Sequence, residues 1–104
     1  MTVPSSAPRN VSVTLVNSNN LLISWKELLP QDENGVITNY IIRYSYDRFK
    51  APQRHQIQVN QYERKFSLNN LNYFTEYVIQ LAAKTSAGIG PFSKSIRIQT
   101  DQNG

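Results

Sequence analysis

Residues 68–95 read LNNLNYFTEYVIQLAAKTSAGIGPFSKS. From Thr75 to Lys84 the segment alternates, placing Tyr77, Ile79, Leu81 and Ala83 on one side of an extended chain. It then meets Gly88-Ile89-Gly90-Pro91. Two glycines after a strand invite comparison with a phosphate-binding loop. That motif needs either a third glycine and a following helix or a Gly-Lys-Ser/Thr ending. Here Pro91 follows Gly90, and Ser95-Ile96-Arg97-Ile98-Gln99-Thr100 alternates again, with Ile96 and Ile98 inward. The stretch is therefore strand, turn and strand, its glycines permitting positive φ in the connection.

The same two-residue period recurs in both directions. Arg9 to Val16 places Val11, Val13 and Leu15 on one face, and Leu21 to Lys26 does so with Leu21, Ile23 and Trp25. Ile37 to Tyr46 aligns Tyr40, Ile42 and Tyr44. Two shorter runs follow, His55 to Val59 and Lys65 to Leu68, with Phe66 and Leu68 on one side. Turn-forming clusters separate them: Asn17 to Asn20, and a loop from Leu28 to Gly35 with Pro30 and Asn34-Gly35. Arg48 to Arg54 is polar, contains Pro52 and reads as a connection. Seven strands with one apolar face each need a covering layer, which a second sheet supplies. The fold class expected is all-β, a seven-stranded immunoglobulin-like β-sandwich of two antiparallel sheets.

The chain has 104 residues, the length of one domain, and no cysteine. Disulfide bonds, thiolate nucleophiles and Cys-ligated zinc are excluded, and the redox compartment stays open. The net charge of +4 is mild, without the dense basic face interleaved with aromatic residues of a nucleic-acid module. No apolar run reaches the length of a membrane span, and the N-terminus lacks a signal-peptide pattern. Met1-Thr2-Val3-Pro4 reads as the start of an excised fragment. Residues 1–7 and 101–104 read as linkers around a domain spanning 8–100.

Catalytic chemistry finds no footing. His55 is the only histidine, set between Arg54 and Gln56, and reads as a solvated surface residue. Asp32 and Glu33 are adjacent acids in a loop without calcium-loop spacing. Neither a triad nor a three-ligand zinc site can be assembled from this inventory. The expectation is no enzyme, no cofactor and no metal. Arg48, Lys50, Arg54, Arg64 and Lys65 cluster around the His55 strand. If they share a face, they form a patch for heparin-like polyanions; otherwise they solvate the surface and blunt an edge strand. Asn10-Val11-Ser12 is an N-glycosylation triplet, although a chain this rich in Asn, Ser and Thr produces one by chance.

Taken together, several segments resemble the fibronectin type III family over nearly the whole chain, from about Ala7 to Thr100. Ala7-Pro8 before Val11 is similar to its opening, and Leu21-x-Ile23-x-Trp25 to its second strand with a buried tryptophan. Asn34-Gly35-x-Ile37-x-x-Tyr40-x-Ile42-x-Tyr44 resembles its third strand in cell-surface members. Leu71-x-x-x-Thr75-x-Tyr77 resembles the tyrosine corner, and Ala83 to Ser93 the last loop. Tyr73 stands where the family often has proline, and neither Arg-Gly-Asp nor Trp-Ser-x-Trp-Ser occurs. The resemblance implies a core containing Trp25, Tyr40, Ile42, Leu71, Tyr77 and Ile79.

It also implies a non-catalytic module, monomeric in isolation, from the extracellular part of an adhesion molecule or receptor, with a receptor-type tyrosine phosphatase among the typical parents. An intracellular scaffold repeat of a muscle or cytoskeletal filament protein, or an accessory domain of a secreted enzyme, are the alternatives. The implied partners are neighbouring domains of the same chain and a protein bound through loops 28–36 and 85–92, without nucleic acid or direct membrane contact. Phe92, Phe74 and Tyr73 are candidate exposed aromatics at that pole.

Overall fold

A computed structural model describes residues 2–48 and 51–101, with side chains except at 47, 48 and 51–53. The strands are β1 (Arg9–Asn17), β2 (Asn20–Lys26), β3 (Asn39–Arg48), β4 (Ala51–Asn60), β5 (Lys65–Leu68), β6 (Glu76–Thr85), β7 (Gly88–Ile89) and β8 (Ile96–Gln99), with one helical turn, α1 (Pro30–Glu33). One sheet has the order β1-β2-β5; in the other, β4-β3-β6 continues into β7 and β8, which both pair with β6. Every pairing is antiparallel.

The eight strands amount to the seven ribbons expected, because β7 and β8 are two parts of one path along β6. Lys84 pairs with Ile89 at one end and Ile79 with Ile96 at the other. Pro91 has no amide to continue the ladder between them. The gap is bridged by Gly90 N–H to Ala83 O at 2.9 Å and Ser93 N–H to Leu81 O at 2.7 Å. The Ser93 hydroxyl accepts the Leu81 amide at 2.9 Å, standing in for a strand carbonyl.

One expectation needs correction. The polar segment from Arg48 to Arg54 is largely strand, since β3 and β4 extend to Arg48 and from Ala51, with Asp47 opposite Pro52. An edge strand such as β4 pairs on one side only and tolerates a proline. The longest dimension is 47 Å, and β3, β4 and β6 each have ten residues.

The core lies between the sheets. From the smaller sheet come Leu21, Ile23, Trp25 and Leu68; from the larger come Tyr40, Ile42, Val59, Tyr77, Ile79, Leu81 and Ala83. Burying one such aliphatic side chain stabilises the fold by about 1.5–3 kcal/mol. Ile41 and Ala82, paired on β3 and β6, are buried on the opposite, outer face. Lys84 Nζ donates to Gln58 Oε1 at 3.3 Å across β3 beside them. This polar cover lets an outward isoleucine escape water.

Candidate functional site

Trp25, Tyr40, Ile42, Leu71, Tyr77 and Ile79 are all buried. The Tyr77 hydroxyl accepts the Asn72 amide at 2.8 Å. Its segment is anchored further by Leu71 N–H to Asn19 O at 3.1 Å and by the Thr100 hydroxyl, which donates to Asn72 O at 2.6 Å. These side chains hold the sandwich and offer nothing to a ligand. His55 is exposed, with its ring stacked 4.9 Å from Tyr44 and 5.8 Å from Tyr46. Among the described residues no group of three His, Cys, Asp or Glu side chains gathers to hold a metal.

The loops 28–36 and 85–92 meet at one pole, and residues 2–5 lie between them. Thr2 N–H donates to Asn34 O at 3.3 Å, and the Thr85 hydroxyl to Thr2 O at 3.0 Å. Ser5 binds Asp32 through its amide (2.8 Å) and its hydroxyl (2.9 Å to Oδ1). Pro4 is fully buried. A Cβ on Gly90 would stand 2.9 Å from Pro4 O, so this glycine makes room for the Pro4 backbone. Gly88, at φ +139°, serves the conformational role expected of a turn glycine. A stretch that reads as linker is thus packed into the pole.

The expected aromatics lie elsewhere. Phe92 leaves the pole and lies on the larger sheet with the Arg43 guanidinium 3.7 Å above its ring. Tyr73 and Phe74 are exposed at the opposite pole, where Phe74 N–H donates to Asp101 O at 3.0 Å. Their position follows from β6 starting there, whereas the 85–92 loop follows its far end.

The basic residues also part company. Arg54 lies near the start of β4, while Arg64 and Lys65 follow its end, roughly 20 Å away at the usual rise per strand residue. Arg64 is committed to Glu27 at 3.1 Å and to the carbonyls of Gln61 and Glu63, both at 2.8 Å. Lys65 is exposed on the smaller sheet. The Arg48 side chain and all of Lys50 lie outside the described residues. Among the described residues, Arg54 does not share a face with Arg64 and Lys65.

Strand register instead assembles basic residues distant in sequence. On the outer face of the larger sheet Arg54 pairs with Ser45, Ser45 with Val78, and Val78 with Arg97. This single row crosses β4, β3, β6 and β8. Arg43, two residues from Ser45 on β3, stands on the same face, held by two donations to Gln80 Oε1 at 2.8 and 3.3 Å. An open groove of about 440 Å³ follows the row, with Tyr46 and Phe74 also in its lining. Arg97 pairs with Glu76 at 3.1 Å and remains largely exposed. Reading the sequence along the chain misses this set; the signal that finds it is the cross-strand register.

A profile of the Fibronectin type III domain matches residues 6–99. The chain is 35% identical to Contactin-1 of Mus musculus over 97 residues, which is 93% of this chain and 9% of that protein. It is 34% identical to Neogenin of Homo sapiens over 98 residues (94% and 7%) and 36% identical to Protein sidekick-1 of Mus musculus over 89 residues (85% and 4%). The chain therefore spans less than a tenth of these relatives. The solution structure of the fn3 domain of human contactin 1 superposes with a TM-score of 0.81 at 32% identity, covering 100% of this chain and 84% of that one. The third Fibronectin III domain of human KIAA0343 protein, at 21% identity, shares the fold with a TM-score of 0.88, covering 98% and 86%.

Proposed function

Since this chain belongs to the fibronectin type III family, we propose that it is a non-catalytic spacing and contact module in the extracellular region of a multidomain adhesion molecule or receptor. The observation that carries the reading is where apolar surface is left. Among the described residues the large exposed hydrophobics gather at the two poles. Val3, Leu29, Val36, Tyr62 and Ile89 lie at the end where the chain enters, and Leu15, Val16, Tyr73 and Phe74 at the end where it leaves. Thr2 and Asp101 are anchored at these opposite ends, to Asn34 and Ser18 respectively. A body that is polar along its sides and apolar at its ends is suited to abut neighbouring domains in a row.

The extracellular setting draws support from kinship with contactin-1, neogenin and sidekick-1, which are cell-surface adhesion proteins. That kinship favours an adhesion parent over a receptor phosphatase. Asn10 is exposed at an irregularity of β1, so its amide is accessible to a glycan. The test is an antibody against this domain applied to intact cells expressing the full-length protein, together with mass spectrometry of Asn10. Labelling without permeabilisation supports the proposal. Labelling only after permeabilisation, with Asn10 unmodified, overturns it in favour of an intracellular scaffold.

A further inference from the structure

We propose that Asn34-Gly35 is a self-modification site: the asparagine converts to aspartate and isoaspartate, and the product unclamps residues 2–5 from the entry pole. Asn34 is the one asparagine among the described residues that precedes glycine, and both residues are exposed. Asn34 closes α1 in the left-handed conformation, φ 56° and ψ 30°. Gly35 follows at φ 144°, a backbone angle that glycine adopts freely. No Cβ on Gly35 shields its own amide nitrogen, and asparagine is among the thermolabile side chains.

The reaction balances with water alone. The Gly35 nitrogen attacks Asn34 Cγ and gives its proton to solvent. An N–Cγ bond forms, and the Cγ–Nδ2 bond breaks as Nδ2 takes up a proton and leaves as ammonia. Water then opens the cyclic imide at either carbonyl. Opening at Cγ leaves aspartate. Opening at the main-chain carbon leaves isoaspartate, with the chain rerouted through Cβ and Cγ.

Two bonds tie this chemistry to the entry segment. Nδ2, the group that leaves, donates to Val3 O at 3.1 Å, and Asn34 O accepts the Thr2 amide at 3.3 Å. While the segment is seated, the carboxamide is pinned to Val3 and must break that bond before its carbon reaches the Gly35 nitrogen. The reaction therefore records each opening of the segment. Neither product reseats it. A carboxylate only accepts hydrogen bonds, and it would face the Val3 carbonyl, another acceptor. It also places a third acid directly after Asp32 and Glu33, beside the carboxylate that holds Ser5. In isoaspartate the carbonyl that accepts the Thr2 amide has left the main chain.

The experiment incubates the purified chain at neutral pH in heavy-oxygen water. Mass spectrometry follows the peptide containing Asn34, with its isomers separated by chromatography. The folded chain is expected to convert roughly tenfold more slowly than the guanidinium-unfolded chain, the protection given by a shallow local opening. Deleting residues 1–4 should bring the folded rate within about twofold of the unfolded one. Gly90→Ala, whose Cβ would stand 2.9 Å from Pro4 O, should do the same without shortening the chain. A cooperative melt verifies that each variant folds; if the shortened chain lacks one, Gly90→Ala decides. Asn34→Asp mimics one product and tolerates the same left-handed backbone. It is expected to speed hydrogen exchange at the Ser5 amide about tenfold while Val13, paired with Ile23, keeps its protection. No conversion in the folded chain overturns the site. Equal rates in folded and unfolded chains, or no acceleration on unseating Pro4, overturn its coupling to the segment. Unchanged exchange at Ser5 in Asn34→Asp overturns the release.

Discussion

Replacing Tyr77 by phenylalanine removes the hydroxyl that accepts the corner's Asn72 amide. The ring is 1% exposed, and its hydroxyl accepts the Asn72 amide at 2.8 Å. Phenylalanine keeps the ring and opens only a small space, while the Asn72 amide loses its acceptor. The surrounding segment cannot easily relax to find that amide another partner. Asn19 holds Leu71 from both sides, through Leu71 N–H to Asn19 O and Asn19 Nδ2 to Leu71 O at 3.2 Å, and Thr100 holds Asn72 O. A part-buried donor left unsatisfied costs about 1–3 kcal/mol. For a domain near this size that corresponds to a fall of roughly 5–15 °C in Tm. Urea unfolding is expected to show a lower midpoint at unchanged slope, because the surface exposed on unfolding is the same. Hydrogen exchange at the Asn72 amide is expected to accelerate more than at Leu71, which keeps its partner. A midpoint unchanged within about 0.3 kcal/mol, with Asn72 still protected, would refute the assignment of the corner's stability to this bond.

Gly90→Ala places a Cβ 2.9 Å from Pro4 O and 3.0 Å from Pro4 Cβ, and should cost about 1–3 kcal/mol in denaturant melts. Most of that cost should vanish in a chain lacking residues 1–4. Trp25→Ala should cost about 3–5 kcal/mol. Trp25→Phe should cost much less, since the indole N–H is buried without an acceptor among the described residues and its removal forfeits no bond. Burial raises the pKa of Tyr40, partly offset by Arg64, and burial followed by Tyr46 raises that of Tyr44. The unfolded chain, titrating near pH 10, then loses these protons first as pH rises. Their stabilising contribution is complete below about pH 10 and lost above it; unfolding between neutral and strongly alkaline pH should show this decline, made shallower by Tyr40→Phe.

The sandwich was legible because each of its strands turns one side to a shared interior, which writes a period of two into residues such as Leu21, Ile23 and Trp25. The length of the β3–β4 hairpin was not, because its far half carries polar residues and Pro52, tolerated only because β4 lies at an edge. Ile41 broke the pattern for a similar reason: a Lys84–Gln58 hydrogen bond over the sheet gives an outward isoleucine shelter that no local spacing announces. The arginine row was hidden differently. Positions 43, 54 and 97 share a face only once three separate pairings fix their register, whereas the basic residues neighbouring in sequence end up at opposite ends of β4. Residues 2–5 lack any periodicity and look like tether, yet Pro4 fits against a glycine more than eighty positions away.

Held at Pro4, the entry segment should act as a mechanical fuse. A pull on the N-terminal end arrives at Thr2, whose amide donates to Asn34 O and whose carbonyl accepts the Thr85 hydroxyl. Those bonds, the Asn34 and Asp32 contacts to Val3 and Ser5, and the Pro4 plug should yield before β1 is loaded, freeing a segment whose full reach is about 14 Å. Under load such a domain would lengthen by a small reversible increment, with its interior still dry, and reset when the proline seats again.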